Sequence, residues 1–262
     1  EIPMQPSTAY NVVSSNKELS KRMEEAFFRE GNDVGVLVRH GVTGSPGSMR
    51  DLAQFYADQG FTVALPRLAG HGTTPEDLEK RKYQEWIEDV EKAYQWLKER
   101  TSKRFVTGLS MGGTLTLYMG EKHKDIAGLI TINAAVRMPN ETSMLILGSL
   151  GIPRFAKGVG SDIKKGIKEP AYELTPIRAT KQLALLLRLV RNNIKDVDQP
   201  ILIFSSKEDH VVPPENQRWI YENVSSQTKE LVTLENSYHV ATMDYDLELI
   251  EQKSLEFIQK LL

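Results

Sequence analysis

Short β-like apolar runs alternate with helical stretches along most of this chain, and that alternation restricts the fold more than any other feature. The runs cover residues 26–29, 34–38, 61–65, 104–108, 126–132, 201–205 and 230–234. Helical patterns fill the gaps at 48–59, 83–99, 113–122, 215–222 and 247–262. The second of these places Trp86, Val90, Ala93, Tyr94 and Leu97 on one face. The first two runs flank Glu30-Gly31-Asn32-Asp33 and read as a strand, a turn and a strand. Strands alternating with helices predict an α/β fold. Its sheet would be mostly parallel, covered on both faces and joined by right-handed crossovers.

The alternation breaks between residues 136 and 197. Met144-Leu145-Ile146-Leu147 is apolar and is followed by Gly148, Gly151 and Pro153. A Gly- and Lys-rich stretch, 158–168, reads as loop. Residues 179–192 read as a helix with Leu183, Leu186, Leu187 and Val190 on one side. About 60 residues is too long for an ordinary connection in a compact fold. The expected division is a core of 1–135 plus 198–262, with 136–197 inserted as a cap. Ligands in open α/β sheets bind beyond the strand carboxyl ends, so the cap is expected over that edge; an extra helical pair packed elsewhere is the alternative.

Gly108-Leu109-Ser110-Met111-Gly112, followed by Gly113, joins the fourth run to a helical stretch. Strand, sharp turn and helix are the setting of a nucleophile elbow, which lifts a serine hydroxyl above the sheet end. Five such letters arise by chance in roughly one chain in ten of this length. The elbow therefore needs an acid, a histidine and an oxyanion hole in the right order.

A serine hydroxyl is a weak nucleophile until a base removes its proton, and the base needs an orienting carboxylate. With this elbow the chain order is serine, acid, histidine. Asp209 follows the run 201–205 on a loop at a strand's carboxyl end; Glu208 is the adjacent rival. Asp196 and Asp198 precede that strand, on the wrong edge. His239 follows the last run, again at a carboxyl edge. His40, His71 and His123 do not fit the order, and His210 adjoins Asp209. The second oxyanion donor, besides the N–H of Met111, belongs on a loop after an early strand. His40-Gly41-Val42-Thr43-Gly44 fits, with the Val42 N–H as donor and His40 helping to hold the loop.

Composition removes several classes. The 262 residues carry a net charge of −2 and no cysteine. A basic surplus for nucleic acid is absent, and disulfides, thiolate catalysis and cysteine-based metal sites are excluded. No segment is apolar and long enough to span a bilayer. Glu1-Ile2-Pro3-Met4 lacks a basic-then-apolar signal pattern, so a cytoplasmic setting is expected. The expectation is an enzyme without metal or cofactor, a monomer or dimer, acting on a small molecule.

Taken together, His40-Gly41-Val42-Thr43-Gly44-Ser45-Pro46, Pro66-Arg67-Leu68-Ala69-Gly70-His71-Gly72-Thr73, the elbow, and the segments around Asp209 and His239 resemble the α/β-hydrolase superfamily. Within it the chain looks like bacterial thermostable carboxylesterases and monoacylglycerol lipases, from about Val34 to Leu262. The resemblance implies Ser110, Asp209 and His239 as a triad, Val42 and Met111 as oxyanion donors, and a small cap between the sixth and seventh strands. It implies hydrolysis of an acylglycerol or a short-to-medium acyl ester through an acyl-enzyme. A thioesterase, a carbon–carbon bond hydrolase and a binding protein without turnover are the alternatives. Apolar cap positions Met144, Leu145, Ile146, Leu186 and Leu187 are expected at the substrate. Three residues depart from the family pattern. Val42 stands where phenylalanine is frequent, Tyr238 where a small or polar residue precedes the histidine, and Arg39 where an apolar strand residue is expected. A buried Arg39 would need a partner.

Overall fold

The computed structural model describes residues 24–158 and 161–262. The N-terminal tetrapeptide and the rest of 1–23 lie outside them. Seven strands form one sheet in the order β1-β3-β2-β4-β5-β8-β9. They are β1 (Phe27–Arg29), β2 (Val34–Arg39), β3 (Thr62–Leu65), β4 (Lys103–Leu109), β5 (Gly128–Ile132), β8 (Ile201–Ser206) and β9 (Lys229–Leu234). Every pairing is parallel except β1 with β3. All seven expected runs are strands of this sheet, and the expected α/β architecture with a mostly parallel sheet is the one observed. The turn at residues 30–33 does not make a hairpin, because β3 lies between β1 and β2. Gly31 permits this: a Cβ there would meet the carbonyl of Phe61 at 2.5 Å.

The strands are apolar throughout because both faces are buried. Leu37, Val106, Leu129 and Ile203 point into one layer with α3 (Tyr83–Lys98), α4 (Met111–Lys122), α6 (Ile177–Asn193) and α7 (Glu215–Asn223). Val36, Val38, Phe105, Ile130 and Phe204 point into the other with α1 (Arg50–Asp58) and α8 (Leu247–Lys260). Neighbouring residues alternate between the two cores, as the two-residue strand period requires.

Between β5 and β8 the chain builds a separate unit. Helix α5 (Glu141–Leu150) packs on α6, and β6 (Phe155–Lys157) pairs antiparallel with β7 (Leu174–Pro176). Five strands of the sheet precede this insertion and two follow among the described residues. The helix expected at 179–192 is α6. The pair β6–β7 and the single-turn α2 (Pro75–Leu78) are too short for a periodic signal.

Arg39 and Glu121 are buried ionisable side chains with unpaired polar atoms among the described residues. Arg39 ends β2 with no exposed surface; one guanidinium nitrogen donates to Thr116 Oγ1 at 2.6 Å, while Nε and Nη1 find no acceptor among the described residues. Burial pulls this guanidinium down to about 9, opposed by the charge of Glu91 on α3. The partner demanded by the sequence is therefore a hydroxyl and not a carboxylate. Glu121, near the end of α4, is 6% exposed and neither carboxyl oxygen is hydrogen-bonded within the described residues.

Burial pushes the Glu121 carboxyl from 4.5 up to about 8. A raised folded-state value means that folding favours the protonated form. The contribution is most favourable below about pH 4.5 and is lost as pH rises through 8. Glu121→Met is expected to stabilise the protein by about 1–3 kcal/mol at pH 9 and by less at pH 5. Thermal melts at the two pH values check this; equal gains at both would contradict it.

Candidate active site

Four parallel strands deliver the expected site residues to one edge. The loop 40–45 leaves β2, Ser110 follows β4, Asp209 lies three residues beyond β8, and His239 lies five beyond β9. Parallel pairing puts all four carboxyl ends on the same side.

Ser110 sits between β4 and α4 at φ 57° and ψ −120°, in a region that side chains avoid. Its N–H donates to Ile132 O at 2.9 Å and its carbonyl accepts from Thr114 and Ala135 N–H, so both neighbouring elements hold the turn. The flanking glycines are required by contact. A Cβ on Gly108 would strike the Gly112 carbonyl, and one on Gly112 would strike Arg39 O and His40 O, the latter at 2.8 Å. The elbow closes because strand, helix and the β2 loop touch through backbone alone.

His239 and Asp209 are joined. His239 Nδ1 donates to Asp209 Oδ2 at 2.8 Å, with side chains only 8% and 2% exposed. Asp209 Oδ1 accepts from the N–H groups of Val211 and Val212 at 2.9 and 2.8 Å. These bonds aim the carboxylate. They also select the tautomer with the proton on Nδ1, leaving Nε2 as the acceptor of the neutral ring. Glu208, the rival acid, is exposed and meets His210 at 3.2 Å.

The β2 loop lies against the serine. A Cβ on Gly41 would stand 3.2 Å from Ser110 Cβ and 3.6 Å from Oγ. Val42 follows it, and Met111 is the first residue of α4, so its N–H has no partner inside the helix. His40 holds this loop: Nδ1 donates to Gly41 O at 3.0 Å, and Nε2 accepts from Leu68 N–H at 3.3 Å. Burial drives His40 down to about 4 and His71, 5.0 Å away ring to ring, to about 3, so both are neutral.

The insertion and two core loops, at Asn133 and Asp244, supply residues that sequence reading missed. Asp162 Oδ2 accepts from the N–H groups of His210 and His239, both at 3.1 Å, and Oδ1 pairs with His210 Nδ1 at 2.8 Å. Asp244 binds the N–H groups of Lys164, Lys165 and Tyr238 at 2.6, 3.1 and 3.0 Å. Tyr172 N–H donates to Thr43 O at 3.0 Å, and its hydroxyl donates to Gly70 O at 2.7 Å. Asn133 donates to His239 O at 2.8 Å from a left-handed backbone. Glu169 reaches the turn at Gly44, where a Cβ would be 2.9 Å from its Oε1. Burial raises this carboxyl, while His239 and the Ser48 hydroxyl pull it down. An asparagine at positive φ was the one local signal among these; the others are polar residues in loops.

The five apolar cap positions separate. Met144, Leu186 and Leu187 are buried in the core beside Met111 and Leu115, and Leu145 packs on them partly buried. Ile146 is 56% exposed, on the outside of α5. Tyr238 stacks edge-on against His210 at 4.7 Å.

Comparison with known proteins places this chain among relatives. The Hydrolase_4 model, described as serine aminopeptidase, S33, matches residues 32–170 and 172–246. The chain is 51% identical over 237 residues to a thermostable monoacylglycerol lipase of Bacillus sp. (strain H-257), covering 90% of this chain and 94% of that protein. It is 30% identical over 239 residues to a carboxylesterase of Bacillus subtilis (strain 168), covering 90% and 96%. A solved structure from work on LipS and LipT, two metagenome-derived lipolytic enzymes, superposes with a TM-score of 0.87 at 46% identity, covering 90% and 98%.

Asp162 raises the His210 imidazole above its ordinary 6.5 through a hydrogen bond and its charge. A raised value means that the pair's stabilisation is complete below about pH 6.5 and lost as pH rises through the folded-state value. Asp162→Asn is expected to return His210 toward about 6.5 by NMR titration. Its loss of thermal stability should be larger at pH 6 than at pH 9; a loss independent of pH would contradict the ion pair.

Proposed function

Because the chain belongs to the Hydrolase_4 (serine aminopeptidase, S33) family of α/β-hydrolases, we propose that it hydrolyses carboxylic esters through Ser110, His239 and Asp209. The observation that carries this reading is the buried 2.8 Å pair of His239 and Asp209 at the same sheet edge as the strained Ser110 turn. The chain is a serine esterase or lipase. Its substrate class, a monoacylglycerol or another short-to-medium acyl ester, follows from the Bacillus lipase that shares half its residues.

The chemistry then runs in two halves. His239 Nε2 takes the proton of Ser110 Oγ as that oxygen attacks the ester carbonyl carbon. The N–H groups of Val42 and Met111 receive the oxyanion of the tetrahedral intermediate. Protonated His239 gives its proton to the leaving alcohol while Asp209 stabilises the imidazolium. An acyl group is left on Ser110, and water, activated by the same histidine, releases the acid and restores the serine. The helix dipole of α4 adds partial positive charge beside the Met111 N–H.

The insertion serves as a cap in this reading. Its strap from Asp162 to Tyr172 is bonded to the histidine loop, the acid loop and the oxyanion loop, so the segment that bounds the substrate also aligns the reacting groups. The apolar side of the acyl site falls to Met144 and Leu145, since Leu186 and Leu187 are fully buried in the core and Ile146 lies on the outside of α5.

Ser110→Ala is expected to abolish ester turnover, lowering kcat by about a millionfold. Stopped-flow hydrolysis of p-nitrophenyl butyrate should show a burst of nitrophenol with wild type and none with the variant. Unchanged activity in Ser110→Ala rejects the mechanism. A series of p-nitrophenyl esters, mono-, di- and triacylglycerols and aminoacyl p-nitroanilides tests the substrate class. Highest kcat/KM is expected on monoacylglycerol or on short-to-medium esters; turnover of the anilides alone would refute ester hydrolysis.

A further inference from the structure

We propose that a basic groove between the insertion and the core segment after α2, apart from the triad, docks the protein onto the phosphate headgroups of an anionic lipid surface. The groove has a volume of about 740 Å³ and lies where the chain after α2, the end of α5 and the start of α6 converge. Six cations line it: Lys80, Arg81, Lys82, Arg154, Arg178 and Lys181. One carboxylate lines the groove with them, Glu79, which pairs with Arg154 at 2.7 Å and Arg178 at 3.9 Å. Arg81 is held by Asp77 and Glu85. Lys80, Lys82 and Lys181 have no ion pair among the described residues. This concentration of positive charge stands on a chain whose net charge is −2, so it is a local feature and not a reflection of composition. Another surface cavity, of about 410 Å³, shows the contrast, since Glu215 and Glu222 there balance Arg137 and Arg218.

The arrangement suits phosphate. Arg178 is more than half exposed and stands 3.9 Å from Glu79, so its planar fork is open to phosphate oxygens; Arg154 donates Nε and Nη2 to Glu79 and adds charge, as the lysines do. Arg178 lies in the first turn of α6, which carries no acidic residue, and Lys181 just beyond it. Positive charge is disfavoured at that end of a helix, and an anion above the turn relieves both effects.

A lipid surface is favoured over a soluble phosphate by what adjoins the groove. Gly148, Ser149 and Gly151 line it. Interleaved with them, Leu147, Leu150 and Ile152 are exposed by 38%, 62% and 69%. Gly151 is needed at this junction: at φ 70° it ends α5, and a Cβ there would meet the Arg178 guanidinium at 2.8 Å. Basic side chains beside an apolar ridge form the pattern of interfacial binding, with charge held at headgroup level and apolar side chains below it.

Co-sedimentation of the full protein with phosphatidylglycerol-containing vesicles and with pure phosphatidylcholine vesicles tests this, each at low and high salt. At least about tenfold stronger partition onto the anionic vesicles at low salt is expected, weakening as salt rises. The triple variant Lys80→Glu, Lys82→Glu, Lys181→Glu should lose about tenfold or more of that partition. Leu150→Ser with Ile152→Ser should weaken it at both salt concentrations. Both variants should hydrolyse dissolved p-nitrophenyl butyrate like wild type, so docking and ester chemistry are read separately. Equal partition onto both vesicle types, or wild-type partition by the triple variant, would overturn the proposal. Binding of inorganic phosphate in the groove, by NMR shift of the lining residues, without vesicle partition would overturn the lipid assignment.

Discussion

The site depends on one backbone constraint, the left-handed turn that Ser110 makes between β4 and α4. A non-glycine residue held in such a region costs about 1–3 kcal/mol, and the surroundings must impose it. Here the imposition comes from three backbones in contact. Gly108 lies on Gly112, and Gly112 lies on the carbonyls of Arg39 and His40. No side chain fits at those contacts, so the strand that carries the serine, the helix after it and the loop expected to bind the oxyanion are placed by the same geometry. Hydrogen bonds from Ser110 N–H to Ile132 O and from Ala135 N–H to Ser110 O extend the hold to β5.

A second constraint acts from the insertion. One carboxylate, Asp162, bonds the backbone of His239 and both the backbone and ring of His210, the neighbour of Asp209. Asp244 fixes the chain two residues beyond Asp162 to the segment before His239. The base and acid loops leave neighbouring strands, where Lys207 N–H donates to Leu234 O at 3.0 Å, and a strap from the insertion spans both loops farther out. Tyr172 continues the strap to Thr43. Movement of the insertion is therefore coupled to the alignment of the proposed triad, a link that a detachable lid would lack.

Arg39, Glu121, His40 and His71 differ in how the fold meets the expense of burying polar groups. Both histidines are neutral and share short loop contacts, so their burial stabilises the loop at little electrostatic penalty. Arg39 keeps a single hydroxyl partner and Glu121 keeps none among the described residues. Neither touches the proposed reacting atoms. They are places where stability is available without altering the geometry of the elbow.

Residues 26–262 displayed the sheet in sequence because buried parallel strands must be continuous apolar runs, and because chain order restricts which serine, acid and histidine can share an edge. Glycines of the elbow were legible for the same reason: backbone contact leaves no chemical alternative. Asp162, Asp244 and Tyr172 were not legible. Each acts on residues about 50 to 130 positions away, or through a main-chain N–H, and neither kind of contact leaves a periodic trace. Short strands β6 and β7, the pairing of β1 with β3, and the division of the cap residues into buried Leu186 and exposed Ile146 were likewise decided by packing. Local sequence thus determined the element types and the chemistry of the elbow, since both follow from side-chain period and the size of glycine. Tertiary structure alone decided how the insertion grips the histidine and acid loops and where six cations gather, because those depend on distances between segments that the chain brings together only on folding.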